Sequence, residues 1–297
     1  MQSRLRIYAE LSKSGIVALV LISVLGGYLA GHPFEQAFSW SRLGWTLLGI
    51  LCLASGSSAL NQFQERKDDL SMPRTAKRPL PSGRISAREA LAFIASTLLI
   101  GLGILAQLGG DLLILGLAAV GLYNGLYTLW WKRNWSYAAV PGAVPGALPI
   151  LMGYAAASGK TWEPGGLYLF SLLFFWQMPH FWVLALKYRS DYEQGGFPTL
   201  SVTHGEGPTV RQIGIWSLAY VALSLAAPLF LQVHSLYLLI ALAVGALILK
   251  ELRAFTLAPD SRKWLHFFLW VNLSLILYIG AAVADLWSVY LRAWVTR

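Results

Sequence analysis

The sequence predicts an all-α polytopic membrane protein with nine transmembrane helices, folded as a single domain over residues 1–297. Three observations carry that prediction. Apolar residues make up 56% of the chain and charged ones 12%, about half the charged share of a soluble domain. Apolar runs near the length needed to cross about 30 Å of hydrocarbon as a helix recur along the whole chain, without the alternation of barrel strands. The basic residues are also lopsided: of 23 Lys and Arg, nineteen fall at the N-terminus and in every second loop, and four on the other side.

The first run, 14–31, follows Arg4, Arg6 and Lys13, but it is long and lacks a small-residue cleavage site, so it reads as a retained helix. The second, 43–62, holds the only cysteine, Cys52, which excludes disulfides and thiol–metal clusters, and it ends in a burst of charge. Runs 90–108 and 112–130 follow, then the glycine- and proline-rich 136–157 and the aromatic 166–186. Runs 212–231, 235–250 and 265–285 complete the set. Short loops rich in Lys and Arg stay cytoplasmic, which puts the N-terminus inside and the C-terminus outside. The sequon at Asn134 then falls on the cytoplasmic side, where it would not be glycosylated. That placement of basic residues accounts for the net charge of +9 without any nucleic acid partner.

The charged end of the second run, "NQFQERKDDLSMPRTAKRPLPSG" from Asn61 to Gly83, carries acids and bases side by side. On a continuous helix Glu65, Asp68 and Asp69 lie within about 80° of Asn61, whereas Arg66 and Lys67 fall on other sides. Pro73, Pro79, Pro81 and Gly83 predict an ordered loop bearing Arg74, Lys77 and Arg78. A second cluster ends the sixth run, in "LKYRSDYEQGGFPTLSVTHGE", with Asp191 and Glu193 in another cytoplasmic loop. Two such clusters are either solvated helix flanks or the two sides of one mouth. A polyphosphate suits the second case: carboxylates bind it through Mg2+, which takes oxygen ligands, and Arg and Lys take the remaining phosphate oxygens. A diphosphate at the mouth of an apolar bundle implies an isoprenyl tail inside it.

Those residues resemble the UbiA superfamily of intramembrane prenyltransferases. "NQFQERKDD" is similar to the family's first acidic motif, with Glu65 standing for its first aspartate and Lys67 where another acid is usual. Three stretches resemble the haem-farnesylating branch in particular: "MPRTAKRPLPSGR" (72–84), "FWQMPHFW" (175–182) and "DYEQGGFP" (191–198), the last followed by Thr199 and Ser201 where the branch reads differently. The resemblance spans nearly the whole chain. It implies a UbiA-like bundle of nine helices whose central cavity opens to the cytoplasmic side of the bacterial inner membrane. It further implies Mg2+-dependent transfer of a farnesyl group from farnesyl diphosphate to a vinyl group of protoheme (haem B), with water added. Hand-over of the product to a haem A synthase or to terminal oxidase assembly would follow.

On that resemblance Asn61, Glu65 and Asp69 are assigned to metal and diphosphate, with Asp68 as helper and Asp191 as the metal ligand of the second side. Lys187, one turn before Asp191, is expected to point the same way. Arg74 and Arg78 are expected on phosphate, with Lys132 and Arg133 as weaker candidates at the same membrane edge. Trp176, Gln177 and His180 are assigned to haem. On a continuous helix His180 lies about 16 Å deeper than Asp191 and within about 20° of its face. His204 is less constrained. Two other readings share part of this pattern: a prenyltransferase acting on a quinone precursor, and a polytopic transporter. Transporters place their charges near the midplane on broken helices, whereas here the acids gather at one membrane edge.

Overall fold

The structure, a computed structural model, describes residues 3–257 and 261–295. Every regular element among these residues is helical. Helix α1 (Arg4–Leu11) meets α2 (Ser14–Ala30) at a bend of 62°. Then come α3 (Trp40–Glu65), α4 (Ala87–Leu108), α5 (Gly110–Asn134), α6 (Ala139–Ser158) and α7 (Pro164–Lys187). Two short helices follow, α8 (Arg189–Gln194) and α9 (Leu200–Thr203), and three long ones: α10 (Glu206–Leu225), α11 (Ser235–Leu257) and α12 (Ser261–Val295). Local chemistry sets several starts. The side chains of Ser39 and Ser86 accept from the amides of Arg42 and Glu89 and cap α3 and α4, and Pro164 opens α7 where no amide is needed.

Seven helices among the described residues are long and apolar enough to cross a membrane, and eight if α1 and α2 form one bent span. The helix outside that set is α10, at the seventh expected run. It starts earlier than the apolar pattern suggests, and its first turns carry Glu206, Arg211 and Gln212. The apolar residues after Leu225 do not extend it; Pro228 lies in a 3-10 turn, Ala227–Leu229. Arg297, one of the four basic residues expected outside, lies beyond the described residues.

Two packing features position the site. First, α2 and α6 touch backbone to backbone. A Cβ on Gly27 would lie 2.1 Å from the Ile150 carbonyl oxygen, and one on Gly153 2.2 Å from that of Val24, so only glycine permits this crossing. Away from it, toward Lys13 and the start of α6, the two helices part and leave space. Second, α5 changes winding. Over Gly121–Trp131 it is a π-helix, the wider form that recurs at functional sites. Its Asn124 and Thr128 are buried against α3: the Asn124 side-chain amide donates to the Ser57 carbonyl at 2.9 Å, and that of Asn61 to Thr128 Oγ1 at 3.1 Å.

The far side of the bundle is a buried core joining α6, α7, α10, α11 and α12, with Trp182, Tyr220 and Tyr278 among its largest members. Two indoles zip α7 to α12: Trp176 Nε1 donates to the Val271 carbonyl at 2.7 Å, and Trp264 Nε1 to that of Val183 at 2.8 Å.

Candidate active site

A cavity of about 390 Å³ opens at the end of the bundle where α3 and α5 finish and α6 begins. Helix α3 delivers Asn61 and Glu65 to it one turn apart, as the helical projection predicts. The projection fails after that. The α-helix stops at Glu65, and a 3-10 turn, Asp68–Leu70, swings Asp69 into the cavity and Asp68 away from it. Asp68 pairs instead with Arg133 at the partly exposed edge, so neither residue meets the expectation of a place in the mouth. The proline-rich loop is ordered by consecutive turns: the amides of Thr75 and Ala76 donate to the Met72 carbonyl, and that of Arg78 to the Thr75 carbonyl. Thr75 Oγ1 donates to the Asp69 carbonyl at 3.0 Å and ties the loop to the acidic turn.

Inside the cavity each acid already has a base. Glu65 accepts from Lys132 Nζ at 2.6 Å, and both Asp69 oxygens accept from Arg78 Nη1, at 2.8 and 2.9 Å. Both carboxylates are buried, Asp69 completely. Asn61 Oδ1 accepts from Lys13 Nζ at 2.6 Å. Arg74 Nε lies 3.5 Å from Asp191 Oδ2, so the loop after α3 and the loop after α7 do meet, as the two-sided mouth requires. Arg74 lines the cavity, whereas Asp191 stands behind it on α8. From the same α8 loop Tyr192 and Phe197 reach in, and the Lys132 ammonium sits 4.4 Å from the Phe197 ring centre. Burial pushes the Tyr192 phenol up, so it stays a neutral hydrogen-bond donor.

Three expected site residues face elsewhere. The Lys187 ammonium lies over the Trp264 ring on α12, 5.1 Å from its centre, rather than toward the mouth. Trp176 and His180 stack on each other at 4.7 Å in the seam between α7 and α12, where His180 also packs on Phe268 and its Nδ1 is buried without a partner. The cause is helical phase. Helix α7 ends at Lys187, and Tyr188, with φ −107° and ψ 29°, breaks the register, so Asp191 does not continue the face of His180. Of the three residues assigned to haem, Gln177 lines the cavity; its Nε2 donates to the Ala143 carbonyl at 2.9 Å.

Other residues of the site carry no signal in the sequence pattern. Lys13 counts there only as one more basic flank. In the fold it occupies the bend between α1 and α2, and it is the one non-glycine residue with positive φ (54°) among those described. Tyr123 and Tyr127 read as core aromatics, yet they line the cavity with rings stacked 5.9 Å apart. An apolar groove of about 190 Å³ adjoins the cavity between α2, α3, α5 and α6, and Lys13, Ile16, Tyr123 and Gly146 border both spaces.

Among the described residues no three His, Cys, Asp or Glu side chains gather into a ready metal cage, so the expected set of Glu65, Asp68, Asp69 and Asp191 is not assembled as one. The pairing explains this, because each carboxylate is turned toward its own cation. Two acids on one cavity wall nevertheless suit an ion that completes its shell from phosphate oxygens.

Residues 20–276 match the model of the UbiA prenyltransferase family. The chain belongs to that family. A similar relative is the protoheme IX farnesyltransferase of Bdellovibrio bacteriovorus, 46% identical over 284 residues, which cover 96% of this chain and 97% of the relative. In structure the fold resembles digeranylgeranylglyceryl phosphate synthase, with a TM-score of 0.77, 16% identity and coverage of 95% and 98% of the two chains. It also resembles a UbiA homolog from Archaeoglobus fulgidus bound to GPP and Mg2+, with a TM-score of 0.66, 17% identity and coverage of 94% and 99%. At such identities these likenesses establish the UbiA fold and nothing finer.

Proposed function

We propose that the chain transfers the farnesyl group of farnesyl diphosphate to a vinyl group of protoheme IX, with addition of water, and so makes haem O. The observation that carries the donor half is the charged basin that opens directly into an apolar groove, a head site joined to a tail site. The acceptor half is supported by near-full-length similarity to a protoheme IX farnesyltransferase and by the "FWQMPHFW" stretch.

The chemistry follows from residues already in place. Glu65 and Asp69, with Asp191 from the α8 side, would hold Mg2+, which when bound supplies Lewis-acid polarisation of the diphosphate oxygens. Lys13, Arg74, Arg78 and Lys132 take phosphate oxygens and offset the charge that develops as the farnesyl C1–O bond breaks. The diphosphate leaves with the electron pair, and an allylic cation remains. Tyr123 and Tyr127 offer it ring faces, which stabilise a cation without supplying a nucleophile; Tyr123 stands where basin and groove join. The terminal vinyl carbon of haem then bonds to C1. Water adds at the carbon next to the macrocycle and loses a proton, giving the hydroxyethylfarnesyl side chain. Phe181 and Phe197 on the cavity wall keep bulk water from the cation before that bond forms, and Gln177, also on that wall, would orient the acceptor edge.

Basic loops border the basin, so it faces the cytoplasmic side of the inner membrane in this reading. The product would pass to a haem A synthase or to oxidase assembly. The test is incubation of the purified protein with farnesyl diphosphate, haem B and Mg2+. The expected product is a haem heavier by a farnesyl group plus water and retained longer on reverse-phase chromatography. Prenylation of a quinone precursor with no haem product would overturn the acceptor assignment.

A further inference from the structure

We propose that the apolar groove gauges prenyl length, with Ile50 and Met152 as its floor, so that three isoprene units fit and a fourth does not. The inference rests on the reading of the basin as a diphosphate site.

The groove begins at Lys13, Ile16, Tyr123 and Gly146, which it shares with the basin, and runs along α3 past Ser58 and Ala54 to Ile50. Its α6 wall runs from Gly146 through Pro149 to Met152. At the far end α2 and α6 close on each other at the Gly27 and Gly153 crossing, where the Val24 and Ile150 carbonyls occupy the space that a Cβ would need. No tail passes between helices whose backbones touch. Just above that crossing Ile50 and Met152 are buried, at 2% and 1% exposure, in the same core cluster as Val24. The groove is therefore a wedge whose tip is fixed by backbone and whose floor is two side chains.

The depth matches the tail. From Asn61 at the basin to Ile50 at the floor is eleven residues of α3, about 16 Å of helix at 1.5 Å per residue. A farnesyl chain has twelve main-chain carbons, and with the C1–O bond these make twelve bonds, which at roughly 1.2 Å of advance per bond extend about 14 Å. A fourth isoprene unit adds about 5 Å on the same basis and would have to displace Met152.

The test reads binding separately from turnover. Affinities are measured for non-reactive thiolo-diphosphate analogues carrying 10, 15 and 20 carbons, on the whole protein in detergent with Mg2+. The wild type should bind the 15-carbon analogue about tenfold more tightly than the 20-carbon one, the order of discrimination that apolar pocket contacts give. Met152→Ala should bring the two within about threefold of each other. Ala54→Leu, which narrows the groove halfway, should move the preference toward the 10-carbon analogue. Met152→Val serves as a milder floor variant if the alanine form fails to fold, with the same direction expected. Equal wild-type affinity for 15 and 20 carbons would overturn the gauge, because a longer tail would then have left sideways between α2 and α5. An unchanged ratio in a folded floor variant would overturn it too. Length-selective binding without haem product would refute the acceptor and leave the gauge standing.

Discussion

Arg78→Ala tests whether the ion pairs of the basin are built into the fold. Asp69 is completely buried, and both of its carboxylate oxygens accept from the same Arg78 nitrogen, at 2.8 and 2.9 Å. Thr75 Oγ1 donates to the Asp69 backbone carbonyl at 3.0 Å, which leaves the carboxylate itself to Arg78. Truncating Arg78 therefore strands a buried carboxylate, which typically costs about 3–5 kcal/mol. Arg78 is itself partly exposed, with 23% of its side chain open, so some water would reach the stranded group and the lower end, about 3 kcal/mol, applies. At roughly 2–4 °C per kcal/mol for a chain of this order of size, melting should fall by about 6–12 °C. Tryptophan fluorescence in detergent would follow it, since the chain has 13 Trp. The decisive comparison is the double variant Arg78→Ala with Asp69→Asn. Removing both charges relieves the stranded carboxylate, so melting should recover most of the loss while turnover stays abolished. The coupling between the two sites should thus be about 2–3 kcal/mol. A single variant that melts like the wild type, or a double variant no more stable than the single, would refute the argument and return Asp69 to the status of a solvated flank.

Other outcomes follow from the same geometry. Glu65→Gln, Asp69→Asn and Asp191→Asn should each lower diphosphate release by at least about 100-fold with the fold intact by circular dichroism; near-normal rates in any two would remove the metal–diphosphate assignment. Glu65→Asp should remain active, since it keeps the carboxylate. Lys13→Met should lower kcat by about 10- to 100-fold if the ammonium meets the leaving group, whereas an unchanged rate would mean that Lys13 only holds Asn61. Reporter fusions after Arg84 and at the C-terminus should read cytoplasmic and external respectively, and the same side for both would break the odd span count.

The sequence reveals the bundle more completely than the site, and the reason is helical phase. Apolar length is a property of whole runs, so the positions of α3 to α7 are legible from it. The one weak match, α10, is the helix whose first turns mix Glu206, Arg211 and Gln212 into the pattern. Site residues depend instead on angles carried across helix ends. Asn61 and Glu65 lie within α3, and their shared face survives; Asp68 and Asp69 lie past its end, where a 3-10 turn separates them. The same failure separates Lys187 and His180 from Asp191, because Tyr188 interrupts α7. Tyr123 and Tyr127 are hidden for a related reason, since π winding changes which positions share a face. Lys13 is hidden differently. Its place depends on a single residue adopting a left-handed backbone conformation, and no periodicity encodes that.

The mixed charges that first mark the Asn61–Gly83 stretch acquire a purpose from their resting pairs. Glu65 with Lys132 and Asp69 with Arg78 leave neither buried carboxylate without a cation, while the Lys13 ammonium meets the Asn61 amide oxygen, so the ligand-free basin avoids the cost of an unpaired buried carboxylate. A diphosphate arriving alone meets Glu65 and Asp69 as repulsion. A divalent cation arriving alone must compete with Lys132 and Arg78 for the same oxygens. Under the proposed function, when the two arrive together the bases would move to phosphate oxygens and free the acids for the cation. Each acid–base pair that opens would then be replaced by two, acid with cation and base with phosphate oxygen. Such an exchange would favour the metal–diphosphate complex over either component by differential binding rather than by total attraction. It would also return the acids and bases to one another once diphosphate leaves, so neither buried carboxylate would stand without a cation between turnovers.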